Sequence, residues 1–404
     1  MTIPRVPDRT ARTVLLTRGV RAFVDGIAFV VLPAHLHSLG FSGLRIGVIV
    51  AASLLGSAVV TLATGAVAHR HDPRTLLRAA SVVMAVTGIA FGLSTAFVPL
   101  LVIAVITTMN PTAGDVSAFL PLEQTVLSAS VPDAGRTALF ARYNLVGSLV
   151  GSLGALCAGI PVWLSRAAGH AEQTGRQAAF VAYGLAGFVV LAAYSRLPRA
   201  PRRVGPPVRQ ALSAASRRTV LRLSALFSLD SLGGGFATQA IFAVWVFGRF
   251  GMSMESLGSV FFAAGILSAV SSLVSVRIAG RIGLVRTMVF THIPASILLV
   301  LVAVSPNVWV AMTLFVLRGL LSQMDVPVRT SYVMAVVAPE ERAAAASITN
   351  VPRSLASALP PVLAGWMLDQ SRYGWPLIIC AACKITYDLL LLAMFKDVKP
   401  PEEQ

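Results

Sequence analysis

Charge is what this chain has least of. Only 12% of its 404 residues are Asp, Glu, Lys or Arg, about half the roughly 25% usual in soluble domains. A soluble fold so poor in charge would have to bury nearly every helix on all sides, which one chain of this length cannot arrange. Cysteine is also scarce. Cys157, Cys380 and Cys383 all lie in apolar stretches. Cys380 and Cys383 have C-x-x-C spacing but no His cluster beside them, so they read as small apolar residues and not as metal ligands. No phosphate-binding glycine loop, nucleotide domain or metal-spaced His/Cys group occurs, so neither catalysis nor a cofactor is expected.

What the chain has is hydrophobic length. It is 56% hydrophobic, its mean hydropathy is +0.77, and apolar runs reach the roughly 20 residues that cross a bilayer. Twelve spans are expected, over 14–37, 43–68, 76–97, 99–129, 137–161, 177–195, 219–248, 255–277, 286–304, 308–337, 343–368 and 374–395. The fold class is therefore an all-α membrane protein. The first span carries Arg18, Arg21 and Asp25, unlike the core of a cleavable signal.

The net charge of +16 does not point to nucleic acid, because the basic residues gather in alternate loops. Arg5, Arg9 and Arg12 precede the first span. Arg70, Arg74 and Arg78 follow the second, and Arg136 and Arg142 the fourth. Seven arginines from Arg196 to Arg218 follow the sixth, Arg281 and Arg286 the eighth, Arg342 the tenth, and Lys396 and Lys399 the last. The other loops carry Arg45, Arg166, Arg176, Arg249 and Arg372 singly. Such asymmetry places both termini and the central loop in the cytoplasm of a multi-pass cell-membrane protein.

Residues 196–218, with Pro198, Pro201, Pro206 and Pro207 among arginines, read as a cytoplasmic linker between a bundle at 1–195 and one at 219–404. The two halves repeat. At an offset of 206, Arg136 pairs with Arg342, Asn144 with Asn350, Ser148 with Ser354, Leu153 with Leu359, Gly159 with Gly365 and Pro121 with Pro327. Asp25 pairs with Asp230 at 205. A parallel six-helix repeat is a transporter architecture, in which two bundles rock about a central site.

The chain resembles the major facilitator superfamily over essentially its whole length. That family's loop between helices two and three reads G-x-x-x-D-R-x-G-R-R. Gly65, Arg70 and Arg74 fit it, His69 stands for the acid, and Asp72 for the second glycine. The corresponding loop of the second half keeps Arg281, Gly283 and Arg286. The resemblance implies twelve helices in two pseudo-symmetric bundles, a monomer, and a cytoplasmic latch at Gly65, Arg70, Asp72 and Arg74. The missing acid departs from the family's charge-relay latch, and a merely basic anchor loop is the alternative.

Charges at bilayer depth cost several kcal/mol (about 2.5–3.5 on insertion scales), so retained ones are functional candidates. Asp25, Asp115, Glu123, Asp230 and Asp325 are the acids so placed. Asp25 shares a helical face with Arg21 and Arg18, as a proton or substrate site or as a structural Arg–Asp pair. Glu123 faces either a cavity or Arg142, and Asn110–Pro111 interrupt the helix before Asp115. Arg318, Ser322, Asp325 and Arg329 run as one stripe at i, i+4, i+7 and i+11. Arg353 adds a cation in helix eleven, and Glu123 corresponds to Arg329, an exchange of charge between the halves. Gly233, Gly234 and Gly235 precede Gln239 and mark either tight packing or a hinge. His35 and His37 are expected at the outer interface.

Among family branches the chain looks most like the twelve-helix bacterial drug or metabolite:proton antiporters. Helix five is glycine-rich at Gly147, Gly151, Gly154 and Gly159 but lacks the branch's closing G-P step, and Asn110 stands where the branch has an arginine. The leading expectation is proton-coupled export of a small drug-like or metabolite substrate. The alternative is a symporter importing an anionic nutrient recognised by Arg21, Arg318, Arg329 or Arg353. A membrane sensor or lipid scramblase on the same fold is the remote third.

Overall fold

The computed structural model describes residues 9–67, 71–109, 119–130, 133–198, 212–338 and 341–396. Among them every regular element is a helix. The first span is α1 (Arg9–Ser38), followed by α2 (Gly43–Val67) and α3 (Pro73–Leu93). Span four is divided into α4 (Phe97–Ile106) and α5 (Phe119–Ala129). Span five is α6 (Asp133–Leu156), a tight 3-10 turn at Cys157–Gly159, and α7 (Ile160–Ala167); span six is α8 (Glu172–Tyr194). The second half runs α9 (Ala214–Phe236), α10 (Gln239–Phe250), α11 (Met254–Ile282), α12 (Leu284–Val304), α13 (Val308–Gly319), α14 (Asp325–Ala335), α15 (Arg342–Ala358), α16 (Pro360–Gln370) and α17 (Trp375–Phe395).

The twelve expected spans all have helical counterparts, but five expected as single helices are interrupted, span five by the 3-10 turn at Cys157–Gly159. Spans four and ten break ahead of matching prolines. Pro121 and Pro327 each occupy the third position of α5 and α14, where the lost N–H falls in a first turn and is tolerated, whereas a continuous helix would need it. Ser268 donates to the carbonyl of Gly319, 3.0 Å away, at the end of α13. Span seven parts at Ala237, and Thr238 caps the new helix by accepting from the Ile241 amide at 3.3 Å. Span eleven restarts at Pro360–Pro361.

Eight stretches are long and apolar enough to cross a bilayer by length and composition, covering spans two, three, five to nine and twelve. Span one is long enough, at 30 residues, but its basic residues and Asp25 depress its hydropathy. Spans four and ten appear as the shorter apolar helices α4 and α13.

Two compact units emerge. One comprises residues 1–40, 52–207 and 254–259, the other 41–51, 208–253 and 260–404. Inside the first, α1 packs on α6 and α8, and α3 on α8; inside the second, α9 packs on α15 and α17, and α12 on α17. The repeat is thus one of packing as well as of residues. Glycine sets the closest approaches: a Cβ on Gly154 would lie 2.0 Å from the Phe23 carbonyl oxygen, and one on Gly26 2.1 Å from that of Gly151. In the second unit Asp369 of α16 caps the start of α2, accepting from the amides of Gly43 (2.6 Å) and Leu44 (2.8 Å). A carboxylate there satisfies donors that a helix start leaves open.

Candidate functional site

Each unit holds a buried charge cluster on its first and fourth spans. In the first unit Arg21 of α1 ion-pairs with Glu123 of α5, the two side chains being 2% and 0% exposed. Tyr143 of α6 donates to the same carboxylate at 2.5 Å, and Tyr194 of α8 donates to its other oxygen. The Arg21 guanidinium lies over the Phe119 ring at 4.1 Å. Glu123 is therefore held by a guanidinium and two phenols inside protein. Arg18, one turn before Arg21, lies 4.9 Å over the Tyr143 ring.

Asp25 is less committed. Arg21, expected on it from helical spacing, is taken by Glu123. Asp25 is half-buried, its Oδ1 makes no hydrogen bond, and it sits in the fields of Arg21 and Arg18 with Tyr183 of α8 beside it. Tyr183 in turn meets Thr108 at 3.4 Å. Asp115, Asn110 and Arg70 lie outside the described residues.

The second unit carries the richer cluster. Asp230 of α9 is buried and bridges two cations, Lys384 of α17 at 2.6 Å and Arg329 of α14 at 3.2 Å. Arg329 also pairs with Asp325, one turn earlier, at 3.2 Å, and lies 5.5 Å over the Phe227 ring. His292 of α12 sits behind, its Nδ1 3.0 and 3.1 Å from the two oxygens of Asp388 and its Nε2 3.4 Å from the Lys384 ammonium. Arg353 of α15 donates through Nε to Ser231 at 2.8 Å. Arg318 of α13 feels Asp230 and Asp325, while its buried Nε has no hydrogen bond.

The expected stripe on span ten is not one helical face: α13 ends just after Arg318, and Asp325 opens α14. Arg329 still pairs with Asp325 across one turn of α14, and Arg318 still lies in the field of Asp230 and Asp325. Three members of the cluster escaped the sequence reading: Lys384, Asp388 and His292. Lys384 and Asp388 stand one turn apart in an apolar span, the depth signal that singled out the other acids.

The paired clusters are inverted. Asp25 and Asp230 are equivalent in the repeat, as are Glu123 and Arg329, so the first–fourth-span pair has its base on α1 in one unit and its acid on α9 in the other. Asn144 and Asn350, also equivalent, are both exposed. Gln239 is the first residue of α10 and half-buried. Of the three glycines, Gly233 and Gly235 are packing positions, their Cβ atoms 2.8 Å from Cys383 and 2.5 Å from the Ser357 carbonyl oxygen, whereas Gly234 has open space. Cys380 and Cys383 are free thiols. His35 is fully buried within the protein, 5.3 Å from the Phe180 ring of α8 and 6.4 Å from the Phe91 ring of α3.

In the loop before α3, Asp72 accepts from the Arg74 amide at 3.1 Å and caps that helix. The Arg74 side chain donates to the Ser195 carbonyl at the end of α8. Gly65 lies in the last turn of α2.

The family model described as Major Facilitator Superfamily matches residues 14–248 and 231–404. An uncharacterized membrane protein of Saccharomyces cerevisiae, YJR124C, is 26% identical over 94% of this chain and 92% of its own length. A maltose permease of Geobacillus stearothermophilus is 25% identical over 95% and 94%. A probable multidrug resistance protein, EmrY of Escherichia coli, is 26% identical over 37% of this chain and 29% of its own. Among solved structures, a mutant form of the nucleoside transporter NupG superposes with a TM-score of 0.76 at 13% identity, over 96% of this chain and 100% of that one. The inward-open xylose transporter XylE of E. coli gives 0.75 at 13%, over 97% and 98%. These structural likenesses carry the fold; the family match carries membership. The chain belongs to the major facilitator superfamily, and is an integral membrane transporter rather than an enzyme.

Proposed function

We propose that this transporter exports a small drug-like or metabolite substrate in exchange for protons. As a member of its family it is a secondary transporter working by alternating access; direction, substrate and coupling are the proposal. The observation that carries it is Asp230, buried and shared between Arg329 and Lys384 on two other spans. An ionised Asp230 holds both cations; a proton taken up within this cluster weakens that hold and frees polar groups for a solute. Asp25, the equivalent residue of the other half, offers a second titrating group beside Arg18 and Arg21. The partial likeness to a multidrug resistance protein agrees with export. Asp115 and Asp325 stay within the proposed coupling set, Asn144, Asn350 and Gln239 within the proposed cavity, and Gly65, Arg70, Asp72 and Arg74 within the proposed cytoplasmic latch. The transporter is proposed to act as a monomer with its termini in the cytoplasm.

A second reading, import of an anionic nutrient with protons, is favoured by the cations of the second unit. Arg353 has a hydroxyl and not a carboxylate at its Nε, and the Nε of Arg318 is buried without a hydrogen bond. A solute carboxylate or phosphate suits such guanidiniums.

The test begins with purified protein and a panel of organic anions, cations and sugars, scored by thermal stabilisation, since a ligand of the folded state raises the melting point by mass action. Each hit then enters proteoliposomes with an imposed pH gradient. Export coupling predicts accumulation on the side from which protons leave, lost in Asp230→Asn. Accumulation on the side that protons enter supports the importer, and transport insensitive to the gradient in wild type removes both.

A further inference from the structure

The imidazole of His292 touches Asp388 with one nitrogen and Lys384 with the other, and that pair of contacts assigns its proton. Nδ1 lies against both oxygens of a fully buried carboxylate, so Nδ1 is the donor. Nε2 faces the Lys384 ammonium at 3.4 Å, and an ammonium has only donors, so Nε2 presents its lone pair. The ring is neutral in this arrangement. The same Nε2 is 3.8 Å from Asp230 Oδ1, the oxygen that Lys384 now occupies at 2.6 Å.

From this geometry we propose that His292 is a proton-driven switch that takes Asp230 Oδ1 from Lys384. This rests on the proton-coupling reading above and names its positioning residue. A proton arriving from water adds at Nε2, and no other bond is made or broken. The lone pair that accepted from Lys384 is lost, and an N–H on a cationic ring now opposes the ammonium. Asp230 Oδ1 is a carboxylate acceptor within 3.8 Å of that N–H, so the ring closes the gap and Lys384 leaves. Asp388 remains on Nδ1 and compensates the new charge.

The charged groups around the ring divide: Asp388 and Asp230 favour its cationic form, and Lys384 opposes it until it leaves. From α17 come Lys384 and Asp388, with Tyr387 edge-on at 6.0 Å between ring centroids. From α9 comes Asp230. From α14, Arg329 holds the other oxygen of Asp230 and is itself shared with Asp325, so Asp230 stays ionised and in place during the step that exchanges Lys384. Arg353 of α15 and Arg318 of α13 act on Asp230 from further away. Lys384, 12% exposed at its side chain against 3% for His292, is the cation with a way out. Once released it presents an ammonium to an anionic group of the solute.

The test reads the histidine ring directly. Full-length protein labelled with 15N in its histidine rings is reconstituted in nanodiscs, and His292→Gln, with His292→Asn as a second variant, identifies the His292 signals among the six histidines. The expected result is a neutral ring protonated on Nδ1 at alkaline pH, gaining its second proton on Nε2 as pH falls. In Lys384→Met that second protonation moves to higher pH by about one unit or more, because a like charge has gone; in Asp388→Asn it moves to lower pH by a similar amount. Nε2 carrying the proton in the neutral ring, or a titration unmoved by Lys384→Met, overturns the switch. Proton flux driven by a solute in proteoliposomes is read separately. If the ring titrates as stated while transport moves no protons, the switch stands and the coupled-export reading falls.

Discussion

At the scale of single residues, the first unit shows how far helical spacing can mislead. Arg21 and Asp25 stand one turn apart, and such neighbours gain only about 0.2–0.5 kcal/mol from each other on an isolated helix. Glu123, on another helix, offers Arg21 a charge-assisted bond in a site where two tyrosines already satisfy the carboxylate, and that arrangement wins. Sequence spacing reveals partners on the same helix; partners across helices need the packing of α1 on α5. The same limit hid His292, whose partners all come from other helices. Removing one member of the buried pair strands a charge. Arg21→Met is expected to cost about 3–5 kcal/mol, and Glu123→Gln similarly, while the double variant recovers much of the loss. Thermal unfolding of the four proteins in one detergent measures this cycle. Equal and additive losses would show that the pair contributes nothing jointly.

At the scale of elements, the span pattern was legible because twelve apolar runs alternate with polar loops, and membrane length leaves little freedom in reading them. The breaks were legible only in part. Pro121 and Pro327 stood out as an equivalent pair in the repeat, yet a proline can kink a span or begin a helix, and only the positions of α5 and α14 decide for the second. The Gly233–Gly235 run posed the same kind of choice between packing and hinge, and the three residues answer differently. Gly235 has a carbonyl oxygen 2.5 Å from where its Cβ would be, so Gly235→Ala is expected to destabilise by about 1–3 kcal/mol through overpacking. Gly234 has nothing within 4 Å, so Gly234→Ala is expected to stabilise α9 by roughly 0.5–1 kcal/mol. Melting temperatures moving in opposite directions are the readout. A fall in both would place a tight neighbour at Gly234 that the backbone does not show.

At the scale of the whole molecule, charge and tryptophan tell one story about orientation. The arginine-rich loops fall at one set of span ends. All five tryptophans fall at the other: Trp163 in α7, Trp245 in α10, Trp309 at the start of α13, Trp366 in α16 and Trp375 at the start of α17. Trp245 is buried, but the other four are between 49% and 75% exposed, a poor arrangement in water and a favourable one where an amphipathic ring meets lipid headgroups. Two independent residue types thus segregate to opposite span ends, which basic loops alone would not require. The chemical reasons also differ: arginine is retained on the cytoplasmic side during insertion, whereas tryptophan favours an interface on either side, so its one-sided use adds a girdle but not a direction. Direction rests on arginine. In a variant lacking Cys157, Cys380 and Cys383, His170→Cys is expected to react with a membrane-impermeant maleimide in intact cells, and Arg217→Cys only after the membrane is opened. Both positions are exposed in the fold, so differential labelling reports sidedness and not burial. The reverse pattern would put the central loop outside.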